Sequence, residues 1–228
     1  MITSSKVQRA IVAEIVAAIR RDLRALPSQT TTEVRAVRRS YQKALLQESP
    51  ATIVAVADAL LTDASWPQRV VASELLVARP DAIATVTEAA VEEWSKDLAD
   101  WGSVDLFGVT VAGVAWREHR VSDDRVMRWA QSTNRWRRRL ALVATVPLNS
   151  RARGGAGDTA RTLKVCRTLV DDRDDMVVKA LSWALRELAK RDPESASRFI
   201  EQEGTRLATR VRREVKTKLE TGRKVRRK

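Results

Sequence analysis

Apolar residues recur at three- and four-residue spacing along most of this chain, the spacing that lines up one face of an α-helix. Ile11, Ile15, Ala18 and Ile19 form the first such stripe, ahead of Leu26-Pro27. The same period predicts helices over 32–47, 51–63, 66–78, 80–95, 104–117, 123–131, 134–146, 158–170, 174–191, 193–202 and 206–221. Pro27, Pro50, Pro67, Pro80 and Pro193, or polar clusters such as Ser122-Asp123-Asp124, fall between them as start and stop signals. No stretch alternates apolar and polar residues as a half-buried strand does. The expected fold class is all-α, with short connections.

The helices carry a weak internal repeat. Trp66-Pro-Gln-Arg69-Val-Val-Ala72 resembles Trp136-Arg-Arg-Arg139-Leu-Ala-Leu142, and Asp175-Met-Val-Val-Lys179-Ala-Leu181 fits the same template. A period of about 35–40 residues in paired helices is the signature of HEAT or armadillo-like repeats. Stacked pairs of this kind curve into a superhelix with an extended concave face. A single repeat domain spanning residues 1–228 is expected, with a basic concave face and a basic C-terminal helix and tail over 206–228. The glycine-rich segment from Asn149 to Asp158 lacks the Gly-Lys-Ser/Thr of a phosphate-binding P-loop. It reads as a helix connector, with close approach of its backbone to a phosphate as the second reading.

Charge narrows the partner. The net charge is +13, and residues 206–228 hold eleven Lys/Arg against Glu214 and Glu220. Such a balance points to an anionic polymer or an anionic membrane. No apolar run approaches the ~18 residues of a membrane span, and the N-terminus lacks a signal-peptide pattern. Cys166 is the one cysteine and His119 the one histidine. An intramolecular disulfide, a thiolate metal site and the usual Ser/His or Cys/His constellations are therefore excluded. No metal and no cofactor is expected, and a reducing cytoplasm is the expected location.

Two faces stand out. Around Trp183, at about 100° per residue, Val177, Val178, Leu181, Ala184, Leu185 and Leu188 form an apolar stripe. Trp183 lies opposite, near Met176, Lys179, Arg186 and Lys190. A separate stripe already supplies the core, so an indole on a basic face suits nucleic-acid contact. Between 104 and 115 the buried stripe is Val104, Phe107, Thr110, Val111 and Val114, with Asp105 facing away beside Val109 and Ala112. A carboxylate in the first turn of a helix capped by Ser103 is one reading of Asp105, favoured by the macrodipole by ~0.3–1 kcal/mol. The other is functional: an anion four residues after Trp101, inside a cationic protein, has a purpose if its target carries positive charge. Arg139 has two readings as well, a structural arginine tying neighbouring repeats or a forked phosphate clamp. Trp66, Trp94, Trp116, Trp129 and Trp136 read as core.

Trp101-Gly-Ser-Val-Asp105 resembles the Trp-Asp-x-Val-Asp segment of the AlkD-like family of bacterial DNA alkylation repair enzymes, which are HEAT-like DNA glycosylases. Trp136-x-x-Arg139 matches that family's Trp-x-x-Arg segment. The run from Lys179 through Trp183, Arg186 and Glu187 to Lys190 is similar to its Lys-Ala-x-x-Trp-x-Leu-Arg-Glu segment. The likeness runs from about residue 60 to 220 and is weaker over 1–50. Gly102 departs from it by replacing an acidic residue, and Asp175-Met176 by standing where relatives often carry bulky aromatics. The resemblance implies an enzyme that excises cationic N-alkylated purines, such as 3-methyladenine and 7-methylguanine, from double-stranded DNA. It implies that Trp101 and Trp183 cradle the deoxyribose, that Asp105 sits between them as the catalytic carboxylate, and that Arg139 holds the backbone nearby. Arg135, Lys179, Arg186, Lys190, Arg210 and Arg213 complete the expected DNA-binding set. The protein is expected to act as a monomer in the cytoplasm, on the nucleoid and not on a membrane. A non-catalytic HEAT-repeat DNA-binding or scaffold protein is the alternative, because fold alone does not separate these.

Overall fold

In the computed structural model, residues 2–62 and 64–223 are described, with side chains from Lys6 onward. All regular structure among them is helical. The chain divides into two compact units, Met1–Asp97 and Leu98–Lys228. The tail beyond Arg223 lies outside the described residues.

The first unit contains α1 (Ile2–Arg24), α2 (Thr31–Ala44), α3 (Pro50–Leu61), α4 (Trp66–Val77), α5 (Pro80–Ile83) and α6 (Glu88–Ser95). Ile19, Val34, Val56, Leu60, Val71, Leu76 and Val91 are fully buried between them. The helix expected over 80–95 is two helices. The first ends at Ile83, and Thr87 starts the next, its hydroxyl accepting from Ala90 N at 3.2 Å. A threonine cap inside an apolar period leaves no glycine or proline to mark the break.

The second unit contains α7 (Trp101–Phe107), α8 (Gly113–Arg117), α9 (Asp123–Ala130), α10 (Arg135–Ala144), α11 (Val146–Asn149), α12 (Thr159–Thr168), α13 (Asp175–Leu188), α14 (Pro193–Glu203) and α15 (Thr209–Thr221). Short polar side chains fix where these helices begin. Asp100, Ser122, Asn134, Asp158, Asp174 and Asp192 each accept from a backbone N–H of the following first turn. Each such cap is worth ~1 kcal/mol. α7 therefore starts at Trp101 under Asp100, not at Val104 under Ser103. Ser103 is buried and donates its N–H to Asp100 at 2.9 Å.

A five-residue π-helical turn, Gly108–Ala112, joins α7 to α8. The single helix expected over 104–117 is thus one continuous rod with a widened turn inside it. Val109 and Ala112, expected on the outward face with Asp105, are buried together with the rest of the turn. The rod has helices packed on more than one side, so its apolar run is core all round. By contrast, the α13 stripe is buried throughout, as its period requires.

The helical repeat shows itself in tertiary hydrogen bonds that join residues one repeat apart. Arg35 reaches Glu74, 39 residues on. Arg79 reaches back 34 residues to Leu45. Arg138 pairs with Asp172, Arg139 with Asp105 and Arg206 with Asp171, at separations of 34, 34 and 35. These spacings agree with the period read from the sequence, because equivalent positions of successive helical repeats lie side by side.

The glycine-rich segment is a connector built into the unit. Asn149 is buried, donates to Thr162 Oγ1 at 2.8 Å and accepts from Asp158 N at 3.1 Å. Gly155 lies so close to the Pro147 and Leu148 carbonyl groups that no side chain fits there. Arg191 ties the loop down through Asn149 O at 2.8 Å and through Gly155 O.

Candidate nucleic-acid interface and catalytic pocket

An open pocket of about 610 Å3 lies in the second unit, among α7, α10, α13 and α15. Helical spacing explains its lining. Trp101 and Asp105 are one turn apart on α7. Lys179, Trp183, Arg186 and Glu187 share one face of α13, and Lys190 follows directly after it. Arg210, Glu214 and Lys218 repeat at four-residue intervals along α15. Arg139 of α10 completes the wall.

Asp105 is the fifth residue of α7, beyond the first turn, where the macrodipole has little hold on it. Its partner is Arg139. Nε donates to Asp105 Oδ1 at 2.8 Å and Nη2 to Oδ2 at 2.7 Å, a two-pronged ion pair. Nη1 donates to the Met176 carbonyl oxygen at the start of α13. One guanidinium thus fastens α7, α10 and α13 together. The Arg139 side chain is 6% exposed and that of Asp105 20%. This corrects the expectation of a phosphate clamp at Arg139: the fork is turned onto a carboxylate and a carbonyl, not outward. The other reading of this residue, an arginine tying neighbouring repeats, is the geometry found.

Burial pushes the Asp105 carboxyl above the ordinary carboxylate range, against the lowering pull of Arg139 and with a small further rise from Asp100. Burial leaves the carboxyl poorly solvated, which disfavours its charged form.

The indoles differ. Trp101 is 62% exposed at the first position of α7. Trp183 is half-buried, on the basic face of α13 opposite the core stripe. Trp94, Trp116 and Trp129 are core, the first donating its indole N–H to Asp58 and the second to Asp123, both at 2.7 Å. Trp66 and Trp136 are only half-buried. Trp136 instead carries the Arg135 guanidinium over its ring at 4.9 Å, a stacking contact available only to a ring with one face open.

Most of the cations expected to bind DNA are paired with acids. Lys179 Nζ lies 2.5 Å from Asp175, and Lys190 Nζ donates to Glu187 at 2.7 and 2.9 Å. Arg210 donates to Glu214 at 2.9 Å and to Asp175 at 3.3 Å. Arg135 reaches Asp174 at 3.5 Å, and Arg213 is exposed on α15. Arg186 is more deeply set. It donates to the Ser182 carbonyl at 3.1 Å and lies 3.8 Å from Glu214, and burial pulls its guanidinium below its ordinary value. Burial raises the Glu214 carboxyl, but hydrogen bonds from Ser182 and Arg210 and the nearby Arg186 charge outweigh it, leaving the group lowered. The more exposed of these pairs, Lys179–Asp175, Arg135–Asp174 and Arg210–Asp175, contribute little to stability. Exchanging their acids for phosphate oxygens therefore costs little.

Glu187, Glu214 and Lys218 line the pocket without having been singled out from the sequence as site residues. Glu214 had a readable signal, an acid spaced four residues from a cation on either side along a basic helix.

The charge is distributed unevenly. Met1–Asp97 holds twelve Lys/Arg and twelve Asp/Glu, so the whole +13 belongs to Leu98–Lys228. A helical-repeat unit with this charge and two indoles beside a carboxylate in one pocket defines the class: a strongly basic helical-repeat protein with an aromatic, carboxylate-bearing pocket. A family model described as DNA alkylation repair enzyme matches residues 9–219. The chain belongs to that family, and its place is in the repair of alkylation damage to DNA. No curated protein and no solved structure matches it. No helix among the described residues is long and apolar enough to cross a membrane.

Proposed function

We propose that this protein is a monofunctional DNA glycosylase that hydrolyses the N-glycosidic bond of cationic N-alkylated purines, of the 3-methyladenine and 7-methylguanine type, in duplex DNA. The observation that carries this reading is the Asp105 carboxylate, fastened by a buried arginine, in one pocket with Trp101 and Trp183.

N-alkylation leaves the base positively charged. When the C1′–N bond breaks, its electron pair neutralises the departing base, so no general acid is needed. Positive charge then builds on the sugar ring. Asp105 stabilises that oxocarbenium-like sugar, and a water adds at C1′ and gives up its proton to the carboxylate or to solvent. Two unit charges ~4 Å apart at an effective dielectric near 20 attract by about 4 kcal/mol. At ~1.4 kcal/mol per decade this is roughly a thousandfold in rate. Arg139 offsets part of that attraction, but in return it favours the ionised form of the buried group and aims it. Electrostatic preorganisation of this kind is commonly the largest catalytic contribution. Trp101 and Trp183 form the walls for the sugar, and their ring faces add ~0.5–2 kcal/mol of attraction for a cation. Lys179, Arg186, Lys190, Arg210, Arg213 and Arg135 take the backbone phosphates. The reading extends to a monomer in the cytoplasm, its 228 residues acting as one repeat domain on DNA.

Release of free base is the test. Duplexes carrying 3-methyladenine or 7-methylguanine should yield free base and abasic sites, while duplexes carrying a neutral adduct such as O6-methylguanine should yield neither. Tight binding without release from any of them points instead to the non-catalytic DNA-binding reading.

Two further results are expected. Excision needs the ionised form of Asp105, and burial raises its ionisation above the ordinary value of 3.8. The rate should therefore fall as the pH drops through that raised midpoint, so the acid limb of a single-turnover profile lies above the range of an exposed aspartate. The linked stability change has the opposite sign: a raised carboxyl contributes most below its unfolded value, and that contribution disappears as pH rises through the folded one. Arg213→Ala should lower the slope of log affinity against log salt by about 0.9 for each phosphate it ceases to neutralise. An exposed cation of the electrically neutral first unit, Arg39, should leave that slope unchanged when replaced by Ala.

A further inference from the structure

The ion pair at the heart of the pocket joins two helices whose separation must be set by something other than the pair itself. Gly108 lies three residues beyond Asp105, where α7 gives way to the π-helical turn, and Val143 lies four residues beyond Arg139 on α10. The next turn of each helix after the ion pair therefore holds Gly108 on one side and Val143 on the other. A Cβ at Gly108 would meet Val143 Cγ1 at 2.7 Å, Val143 Cβ at 3.1 Å and Leu140 Cδ1 at 3.4 Å. Gly108, Val143 and Leu140 are all buried, with Val143 at 0% and Leu140 at 1% exposure. A β-branched side chain in a helix has one strongly preferred χ1 and cannot rotate out of the way. The helices can meet this closely only because position 108 has no side chain.

Glycine also costs helix stability, about 1 kcal/mol relative to alanine in a helix interior. Here it sits in mid-rod, its φ of −60° open to any residue. Backbone conformation thus gives no reason for glycine at this position, and close approach does.

We infer that Gly108 is a positioning residue for catalysis: its missing side chain lets α7 seat against Val143 of α10, and that seating sets the distance at which Arg139 grips Asp105. This rests on the glycosylase reading for its effect on rate, but its structural half stands independently. A side chain at 108 wedges the helices apart one turn from the ion pair. The 2.8 and 2.7 Å hydrogen bonds lengthen, and the carboxylate moves relative to both indoles. Displacement of a catalytic group by about 1 Å typically costs ~100-fold in rate.

The test uses the full-length chain with Gly108→Ala, Val143→Ala and the double substitution. Two quantities are measured: single-turnover release of 7-methylguanine from duplex DNA, and the ionisation midpoint of the Asp105 side-chain carboxyl by carbon NMR. The charged groups acting on that carboxyl are Arg139 from α10 and Asp100 from the cap of α7, and the charged side chains of α13 and α15 line the same pocket. None of these is altered. Gly108→Ala should slow release by ~100-fold with DNA affinity within about threefold, and should move the Asp105 midpoint upward as Arg139 loosens. Gly108→Ala with Val143→Ala should restore both, because the removed methyls make room for the added one. If Gly108→Ala does not fold, Val143→Ile presses on the same contact from the other wall and should give the same two shifts. A folded Gly108→Ala with unaltered midpoint and rate overturns the inference. So does a rate loss with an unmoved midpoint, or a double variant no better than the single. If the wild type releases no base, the glycosylase reading falls, and the midpoints alone still decide the role of Gly108.

Discussion

Asp105→Asn should remove excision, lowering single-turnover release of 7-methylguanine by roughly a thousandfold or more, while affinity for alkylated duplex DNA should stay the same or rise. The size follows from the attraction of about 4 kcal/mol between a carboxylate and a cationic sugar. Its sparing of affinity has a separate cause. On the proposed reading, DNA presents phosphates to this pocket before the bond breaks, and a carboxylate repels them. The amide is nearly isosteric and keeps one oxygen for Arg139, so the three-helix junction survives. Arg139 is then left buried with a neutral partner, and some loss of thermal stability accompanies the change. The rate must therefore be compared at a temperature where circular dichroism shows both proteins folded.

Arg139→Ala is the second large effect, and it acts through stability as well as chemistry. The guanidinium is 6% exposed and bonded to Asp105 and to the Met176 carbonyl. Removing one partner of a buried ion pair typically costs ~3–5 kcal/mol. The Asp105 carboxyl, already raised by burial, loses the group that draws it down. Its ionisation midpoint rises further, so a larger share of the protein is protonated and inactive at any given pH along the acid limb. Excision should fall steeply, the acid limb of the rate profile should move to higher pH, and the salt dependence of DNA binding should change little. A phosphate-binding arginine behaves in the opposite way: its loss weakens binding, lowers the salt slope and leaves the acid limb in place. Arg139→Lys, which keeps the charge but not the fork, should recover part of the stability and little of the rate.

Periodicity made most of the fold readable, and it did so where a helix has one buried face. On α13 the stripe from Val177 to Leu188 is core, and the opposite face carries Trp183, Lys179 and Arg186 into the pocket. Where a helix is buried all round, the same signal carries no facing. Val109 and Ala112 were expected beside Asp105 on an outward face and are core, and the π-helical turn left no mark in an unbroken apolar run. The division at Thr87 was hidden for a related reason, since a threonine cap looks like any polar position of the helical period. Arg139 shows the limit most clearly. Its fork suits a phosphate and a carboxylate equally, and the choice was made by a residue 34 positions away. Tertiary packing brought them together, through a close approach at Gly108 that a sequence presents only as one glycine among eight. The tail after Arg223 was read as part of the basic footprint and lies outside the described residues.

The central claim is that the Asp105 carboxylate drives departure of a charged base. The most direct measurement places wild-type protein and Asp105→Asn in excess over a duplex containing one 7-methylguanine, and follows free base and abasic sites together over time. The expected result is equal amounts of both products from the wild type, and from the variant no more than spontaneous depurination, with both proteins fully bound to the DNA. Equal release from the two proteins, or binding by the wild type with no release at all, contradicts it.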